Sequence, residues 1–172
     1  MKKTTSNPET SKRNLALRFE LKRGDAEAVG EITASTGFFS PQERDVAVEL
    51  AEDRLQKGEA SDYHFIVGEF EGEAVGYACY GAIACTVASY DLYWIVVQAG
   101  HQGLGWGRML LSEAEKRVYR AGGRRLYVET SSREQYIPTR AFYEKCGYRK
   151  EAVIEDFYAP GDSKVLYLKI LG

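Results

Sequence analysis

Two hydrophobic periods run along this chain and predict its strands and helices. Hydrophobic residues that alternate with polar ones predict strands over residues 15–21, 63–70 and 74–85. Hydrophobic residues spaced three or four positions apart predict helices over residues 26–35 and 41–57. The second helix follows Ser40-Pro41-Gln42-Glu43, a motif typical of a capped helix start with proline at the first helical position.

Strands and helices alternate in the second half of the chain. Strands are predicted over residues 91–97 and 125–130, with an amphipathic helix between them that ends at Ala121-Gly122-Gly123. This arrangement favours two parallel strands joined by a right-handed crossover. Three further elements are predicted: a short helix from Pro138 to Gly147, and strands over residues 148–157 and 164–171. The resulting order, βααβββαβαββ, predicts an α+β fold with a mixed sheet.

Length and composition indicate one folded domain that follows a polar tail. The chain has 172 residues, of which 44% are hydrophobic, so it can bury a core without disulfide bonds or a structural metal. Residues 1–14 are polar and are predicted to be a disordered tail. A single domain is therefore expected over residues 15–172.

Charge and composition argue against several classes of partner. A net charge of −2 gives no broad basic surface, so neither nucleic acid nor a membrane is expected as a partner. The basic N-terminus lacks the apolar segment of a signal peptide, and a cytoplasmic protein is expected. Three cysteines without CxxC spacing predict reduced thiols. Because His64 and His101 lack partners at ligand spacing, no metal is expected.

The segment from His101 to Leu111 combines a glycine turn with the start of a helix. Glycine occupies positions 103, 105 and 107, directly after a predicted strand. Such a turn brings a ligand close to unpaired N–H groups, which favour an anion such as phosphate. The residues after Gly107 match neither a P-loop nor the dinucleotide fingerprint, which needs a glycine where Arg108 stands. On its spacing alone, a tight turn without a ligand is an equal alternative.

Two motifs of this chain resemble those of the GNAT superfamily of N-acetyltransferases. Gln102-x-x-Gly105-x-Gly107 is similar to the acyl-CoA-binding signature of that family. Tyr143-Glu144-Lys145-Cys146-Gly147-Tyr148 is similar to the motif that closes its last short helix. The resemblance covers the chain from Leu15 to the C-terminus. It implies a mixed, mostly antiparallel sheet of about seven strands, with a splayed parallel central pair and helices on both faces.

The resemblance also implies which residues bind acetyl-CoA as a co-substrate. The pantetheine arm is expected to pair with the strand backbone, and the diphosphate is expected to lie on the glycine turn. The residues concerned are Ile95, Val96 and Val97 on the strand, Gln102, Gly103, Leu104, Gly105, Trp106, Gly107 and Arg108 in the turn, and Tyr136, Thr139, Phe142, Tyr143 and Lys145 near the last helix. Tyr136 replaces a frequent asparagine that helps hold the pantetheine, so it is expected to face either the cofactor or the acceptor.

Three side chains are candidates for the chemistry of acetyl transfer. The resemblance places Tyr143 near the thioester sulfur, where its hydroxyl would hydrogen-bond or protonate the leaving thiolate as a tetrahedral intermediate collapses. Because an ammonium must lose a proton before it attacks directly, a base is also needed, and Asp91, Glu129 and water are the alternatives. Alternation predicts that Asp91 lies on the same strand face as Tyr93 and Ile95. A purely structural role is the alternative for each side chain.

The acceptor is expected to bind among aromatic residues. Phe38 and Phe39 occupy the loop that, by resemblance, covers the acceptor site, and Tyr93 and Trp94 precede the glycine turn. A small amine or amino acid with an apolar or aromatic group is the preferred acceptor. A peptide N-terminus or lysine is second, and an aminoglycoside is third because the sequence has no dense acidic cluster for a polycation. A non-catalytic acyl-CoA-binding module is the alternative to an enzyme, and either a monomer or a homodimer is expected.

Overall fold

A computed structural model describes residues 14–172 of the chain. The polar tail predicted over residues 1–14 lies outside the described residues, except for Asn14. None of the helices in the described part combines the length and the apolar character that a membrane crossing requires.

Seven strands within residues 14–172 form one sheet in the order β1-β2-β3-β4-β5-β7-β6. The strands are β1 (Ala16–Arg18), β2 (His64–Phe70), β3 (Glu73–Ala82), β4 (Ser89–Val97), β5 (Arg125–Ser131), β6 (Arg149–Ala159) and β7 (Asp162–Ile170). All neighbouring pairs are antiparallel except β4 and β5, which are parallel. This confirms the predicted α+β fold with its mixed, mostly antiparallel sheet. The first strand is shorter than predicted, since residues 19–21 do not pair with β2.

Helices cover both faces of this sheet, as predicted. They are α1 (Asp25–Ser35), α2 (Pro41–Lys57), α3 (Trp106–Arg120) and α4 (Ile137–Lys145). The hydrophobic stripe of α3, including Leu110 and Val118, packs with α4 on one face of the sheet. Val29 of α1 and Ala51 of α2 pack on the other face, against Tyr77. Each helix buries its apolar side against strands, which is where most of the stability of an amphipathic helix arises.

Local sequence signals explain where α2 begins. The Ser40 hydroxyl accepts a hydrogen bond from the backbone N–H of Glu43 at 3.2 Å. The Glu43 carboxylate accepts one from the backbone N–H of Ser40 at 2.8 Å. These two bonds form the predicted capping box, with Pro41 in the first turn. The helix start thereby holds the loop at Phe38 and Phe39 in a defined position over the sheet.

The parallel strands β4 and β5 separate toward the glycine turn. Their pairing runs from Ser89 opposite Arg125 to Leu92 opposite Val128. Beyond that point β4 continues to pair with β3 and β5 with β7, but the two strands no longer pair with each other. The predicted splay is therefore present. It leaves a wedge-shaped opening in the middle of the sheet.

A β-bulge at Tyr93 changes the faces of β4. Cys79 of β3 lies opposite Trp94, whereas Tyr80 lies opposite Leu92, so Tyr93 is an extra residue in β4. Leu92 and Ile95 consequently both pack on the α3 side of the sheet. The prediction that Asp91 shares a face with Ile95 is wrong, because the bulge reverses the alternation after Leu92. Tyr93 does lie on the same side as Asp91, since a Cβ atom on Gly81, the residue opposite Asp91, would meet the Tyr93 ring. Leu92 faces α3, and Asp91 lies on the other side of the sheet, which α1 and α2 cover.

Candidate active site

The glycine turn leaves the N-terminus of α3 open. Gly103 and Gly105 have positive φ angles of 79° and 85°, a conformation that side chains disfavour. Gly105 is the N-cap residue of α3, and no side chain caps the helix there. A Cβ atom built on either glycine would meet no heavy atom within 4 Å. The first N–H groups of the helix can therefore be approached by an anion, which the helix dipole also favours.

A cavity of about 780 Å³ begins at this turn, passes through the splay and ends beside the loop that joins α1 to α2. The predicted site residues that line it are Phe38, Phe39, Tyr93, Trp94, Ile95, Val96, Val97, Gln102, Gly103, Gly105, Trp106, Gly107, Arg108, Glu129, Tyr136, Thr139, Phe142 and Tyr143. Asp91, Leu104 and Lys145 are not among its lining residues. One continuous space thus connects the predicted phosphate turn, Tyr143 and the aromatic residues.

Several lining residues were not predicted from the sequence. They are Thr36, Glu43, His101, Thr130, Ser131, Arg133, Pro138, Tyr158 and Asp162. Glu43 carried a sequence signal, but only as part of the capping box. Tyr158 and Asp162 come from β6 and β7, which reach the cavity only because β7 pairs with β5. No local pattern in the sequence indicates such a pairing.

The side chain of Trp106 is buried at the start of α3. Its indole is 2% exposed and packs against the rings of Phe70 and His101, with ring centroids 5.2 and 5.1 Å away. The side chain therefore anchors the start of α3 to the sheet. Any contact that Trp106 makes with a phosphate group would come from its backbone.

The side chain of Gln102 connects the turn to the end of β4. Its amide Nε2 donates a hydrogen bond to the carbonyl oxygen of Val97 at 3.1 Å. On the other side of the strand, the N–H of Gln98 donates to the carbonyl oxygen of Val75 on β3 at 2.9 Å. The backbone of β4 is thus held in place where it lines the splay.

Tyr143 lies where the cavity meets the hydrophobic core. The residue is 4% exposed, and its ring contacts those of Phe142, Tyr148 and Tyr167 at centroid distances of 5.4 to 6.0 Å. It also lines the cavity, so part of its surface faces the enclosed space. Burial raises the pKa of the Tyr143 hydroxyl above its usual value near 10. The hydroxyl is therefore a hydrogen-bond donor over the whole physiological pH range.

Two carboxylates lie near each other where β4 and β5 begin to separate. Glu129 lines the cavity, and its side chain is 46% exposed. Asp91 lies behind it, half-buried and outside the cavity lining. Burial, followed by the negative charge of Glu129, raises the pKa of Asp91 to about 6, while Lys164 offsets part of this rise. The pKa of Asp91 therefore lies closer to neutral pH than that of an exposed aspartate.

Aromatic rings form the far end of the cavity. The Phe39 ring packs edge-on against Trp94 at 5.0 Å, and the Phe38 ring lies 6.0 Å from Tyr136. The Tyr136 hydroxyl donates to the carbonyl oxygen of Phe38 at 3.5 Å, and the Gln135 amide reaches the same oxygen at 3.4 Å. Tyr136 therefore faces the aromatic end of the cavity. These contacts connect the loop before α2 to the segment before α4 and close one side of the cavity.

Metal-ligating side chains do not cluster in the described part of the chain. Among residues 14–172, no group of three or more histidine, cysteine, aspartate or glutamate side chains could hold a metal ion.

The segment that contains the glycine turn and Tyr143 is similar to that of known acetyltransferases. The acetyltransferase (GNAT) family model matches residues 28–148, a range that includes the glycine turn and Tyr143. A candidate acetyltransferase of this family from Desulfovibrio desulfuricans is 43% identical, with a TM-score of 0.91 over 92% of this chain and 100% of that one. No curated protein matches the sequence.

Two more distant structures share the fold. The candidate acetyltransferase yncA from Salmonella typhimurium, which was solved with acetyl-CoA, is 21% identical, with a TM-score of 0.72 over 92% of this chain and 95% of that one. Spermidine N-acetyltransferase SpeG from Vibrio cholerae is 18% identical, with a TM-score of 0.72 over 91% of this chain and 94% of that one.

Proposed function

The chain belongs to the GNAT family of acetyltransferases, and from this premise we propose that it transfers the acetyl group of acetyl-CoA to the primary amine of a small molecule. The observation that carries this proposal is the continuous cavity. It joins an open helix N-terminus, a splayed strand pair, a buried tyrosine hydroxyl and an aromatic end. The proposed domain is the whole of residues 15–172, since the sheet runs from β1 to β7.

Acetyl-CoA would bind along the glycine turn and the splay. The residues from Gln102 to Arg108 would hold the diphosphate through backbone N–H groups, each charge-assisted bond contributing roughly 1.5–3 kcal/mol. The open space above Gly103 and Gly105 fits such a group. The pantetheine would pair with backbone at Ile95 to Val97, between strands that do not pair with each other. Thr139 and Phe142 line the same space, while Leu104 and Lys145 would act at its outer margin.

The proposed reaction is direct attack of the amine on the thioester carbonyl. An amine with a pKa near 10 must first lose a proton, which Glu129 would accept directly or Asp91, outside the cavity lining, would accept through water. The nitrogen then forms a bond to the carbonyl carbon and gives a tetrahedral intermediate. As that intermediate collapses, the bond from carbon to sulfur breaks, CoA leaves as a thiolate, and the nitrogen loses its second proton to water or to the leaving sulfur. The Tyr143 hydroxyl would donate a hydrogen bond to that sulfur or protonate it.

The aromatic end supports an acceptor with an apolar or aromatic part. Phe38, Phe39, Tyr93, Trp94 and Tyr136 line this end, and rings provide large apolar surfaces with few rotatable bonds. Gln135 and Tyr136 both contact the Phe38 carbonyl oxygen, so the loop before α2 and the segment before α4 meet at this end. This contact favours a small molecule over a peptide that must continue beyond the site.

An amine panel tests the proposed function. The protein is incubated with acetyl-CoA and separate amines, including aromatic and aliphatic monoamines, amino acids, a peptide and an aminoglycoside, while free thiol is followed. We expect steady thiol release that depends on a small monoamine. Release with the peptide alone would contradict the proposed acceptor class. A melting temperature that rises with acetyl-CoA, without turnover of any amine, would contradict the enzymatic function and support a binding module.

Removing the carboxylate of Asp91 tests its role as the base. We expect Asp91→Asn to lower kcat by about tenfold at neutral pH and to recover partly at higher pH, where free amine accumulates. In the parent protein, activity should fall additionally below pH about 6, where Asp91 gains a proton. That additional fall should be absent from the variant. Rates equal to the parent's at every pH would remove Asp91 from the mechanism, and Glu129→Gln would then separate Glu129 from water.

A further inference from the structure

The carboxylates that line the cavity already have partners within the protein. Among the lining residues, all of which belong to the described part of the chain, the carboxylates are Glu43, Glu129 and Asp162. Glu43 accepts the N–H of Ser40 in the capping box. Asp162 accepts the Ser131 hydroxyl and forms an ion pair with Arg133 at 3.0 Å. Glu129 and Asp162 are therefore neutralised by cations, whereas the partner of Glu43 is a neutral N–H group.

Glu129 pairs with Lys164, which is more buried than Arg133, the cationic partner of Asp162. The Lys164 ammonium lies 2.6 Å from a carboxylate oxygen of Glu129, and the lysine side chain is only 13% exposed. The ammonium also lies over the Phe157 ring, 3.7 Å from its centroid, and 6.0 Å from that of Tyr158. Lys164 itself is not among the lining residues. It therefore lies behind Glu129 and neutralises that carboxylate from within the protein.

A short irregular segment of β6 holds Lys164 in this position. The pairing of β6 with β7 changes register between Ile154 and Ala159, and Asp156 has a φ angle of 51°. The bulged segment carries Phe157 and Tyr158, the two rings near the ammonium. The ion pair with Glu129 and the cation–π contact with Phe157 both stabilise the Lys164 ammonium in this position. Its positive charge is thus a constant feature of the acceptor end.

We infer that Lys164 is a specificity-determining residue that makes this site select amines with a single positive charge over diamines and polyamines. The inference rests on the proposed transfer to a small amine. The reacting nitrogen loses its charge before it attacks, but a second ammonium on the same molecule would keep its charge. A carboxylate would stabilise that second ammonium, and Lys164 already occupies Glu129, the most exposed carboxylate of the cavity lining.

The experiment compares matched amines on the parent protein and on Lys164→Met. The probes are butylamine, pentylamine and hexylamine, each paired with the terminal diamine of the same chain length. For the parent we expect kcat/KM to favour the monoamine by about tenfold or more. Lys164→Met keeps an unbranched apolar stem below Phe157 and leaves Glu129 free. We expect the preference to shrink by about tenfold, mainly through a lower KM for the diamines.

Matched variants separate charge from structural damage. Lys164→Arg keeps the positive charge and should keep the preference for monoamines. Lys169→Met removes another lysine of β7. Lys169 forms an ion pair with Glu115 at 2.7 Å, and neither residue lines the cavity, so this variant should also leave the preference unchanged. In the double variant Lys164→Met with Glu129→Gln, no carboxylate is freed, so the gain toward diamines should disappear.

Each outcome bears on a different statement. A parent protein that uses diamines as well as monoamines would overturn the inference without any variant, even if Lys164→Met does not fold. An unchanged preference in a folded Lys164→Met protein would also overturn it. If no amine supports thiol release in the parent, the proposed function itself fails. A lower rate on all amines with the same preference would show that Lys164 has only a structural role.

Discussion

Gly105→Asp is expected to lower the affinity for CoA by at least about a hundredfold, since two or more charge-assisted hydrogen bonds would be lost and a like charge gained. Gly105 is the N-cap residue of α3, it lines the cavity, and a Cβ atom there would meet open space. An aspartate there would place a carboxylate where the diphosphate is proposed to lie. The measurement is the rise in melting temperature with CoA, supported by titration calorimetry.

Gly105→Asn is the matched control for that substitution. Asparagine and aspartate have nearly the same size, and both tolerate a positive φ angle better than other side chains do. The φ angle of 85° should therefore strain the two variants equally. We expect Asn to weaken CoA binding much less than Asp, because it lacks the negative charge. If the folded Asp variant binds CoA as tightly as the parent, the diphosphate does not lie on this turn.

Tyr143→Phe is expected to lower kcat by ~10²-fold, within the usual range for a positioned proton donor. The substitution removes the hydroxyl and keeps the ring that contacts Phe142, Tyr148 and Tyr167. CoA affinity and melting temperature should therefore change little. Since burial raises the pKa of this hydroxyl, full proton transfer to a thiolate is uphill, and a hydrogen bond that stabilises the thiolate is the simpler role.

Tyr148→Phe provides the control for the loss of a buried hydroxyl. Tyr148 belongs to the same aromatic cluster, with its ring centroid 5.6 Å from that of Tyr143, but it does not line the cavity. Its substitution should leave kcat close to that of the parent. Turnover at the parent's rate by Tyr143→Phe would show that the hydroxyl has no catalytic part. An equal loss in both variants would instead indicate damage to the shared core.

Local signals in the sequence predicted most of the architecture. The capping box at Ser40 and the glycine turn before α3 depend on residues only a few positions apart, so the sequence contains the whole interaction. Hydrophobic periodicity likewise predicted the order of helices and strands, because each element buries one face of itself. The family resemblance added the splayed parallel pair, which the register of β4 and β5 confirms.

Contacts between distant segments decided the details of the candidate site. Asp91 and Ile95 lie on opposite faces because of the bulge at Tyr93, which exists only in the pairing of β4 with β3. Tyr136 faces the aromatic end of the cavity because it meets Phe38, a residue 98 positions away. Trp106, predicted as part of the phosphate turn, buries its side chain against Phe70 and His101. The roles of these residues in binding and catalysis stay predictions until the variants are measured.

The sequence alone therefore determined the type of each element, the glycine turn that leaves the N-terminus of α3 uncapped, and the family to which the chain belongs. The tertiary structure alone decided which charges face one another. Lys164 and Glu129 meet only because β7 lies between β5 and β6 in the sheet. The physical reason is that turns and helix caps form between neighbours along the chain, whereas strand register and ion pairs across a sheet depend on how all the elements pack together.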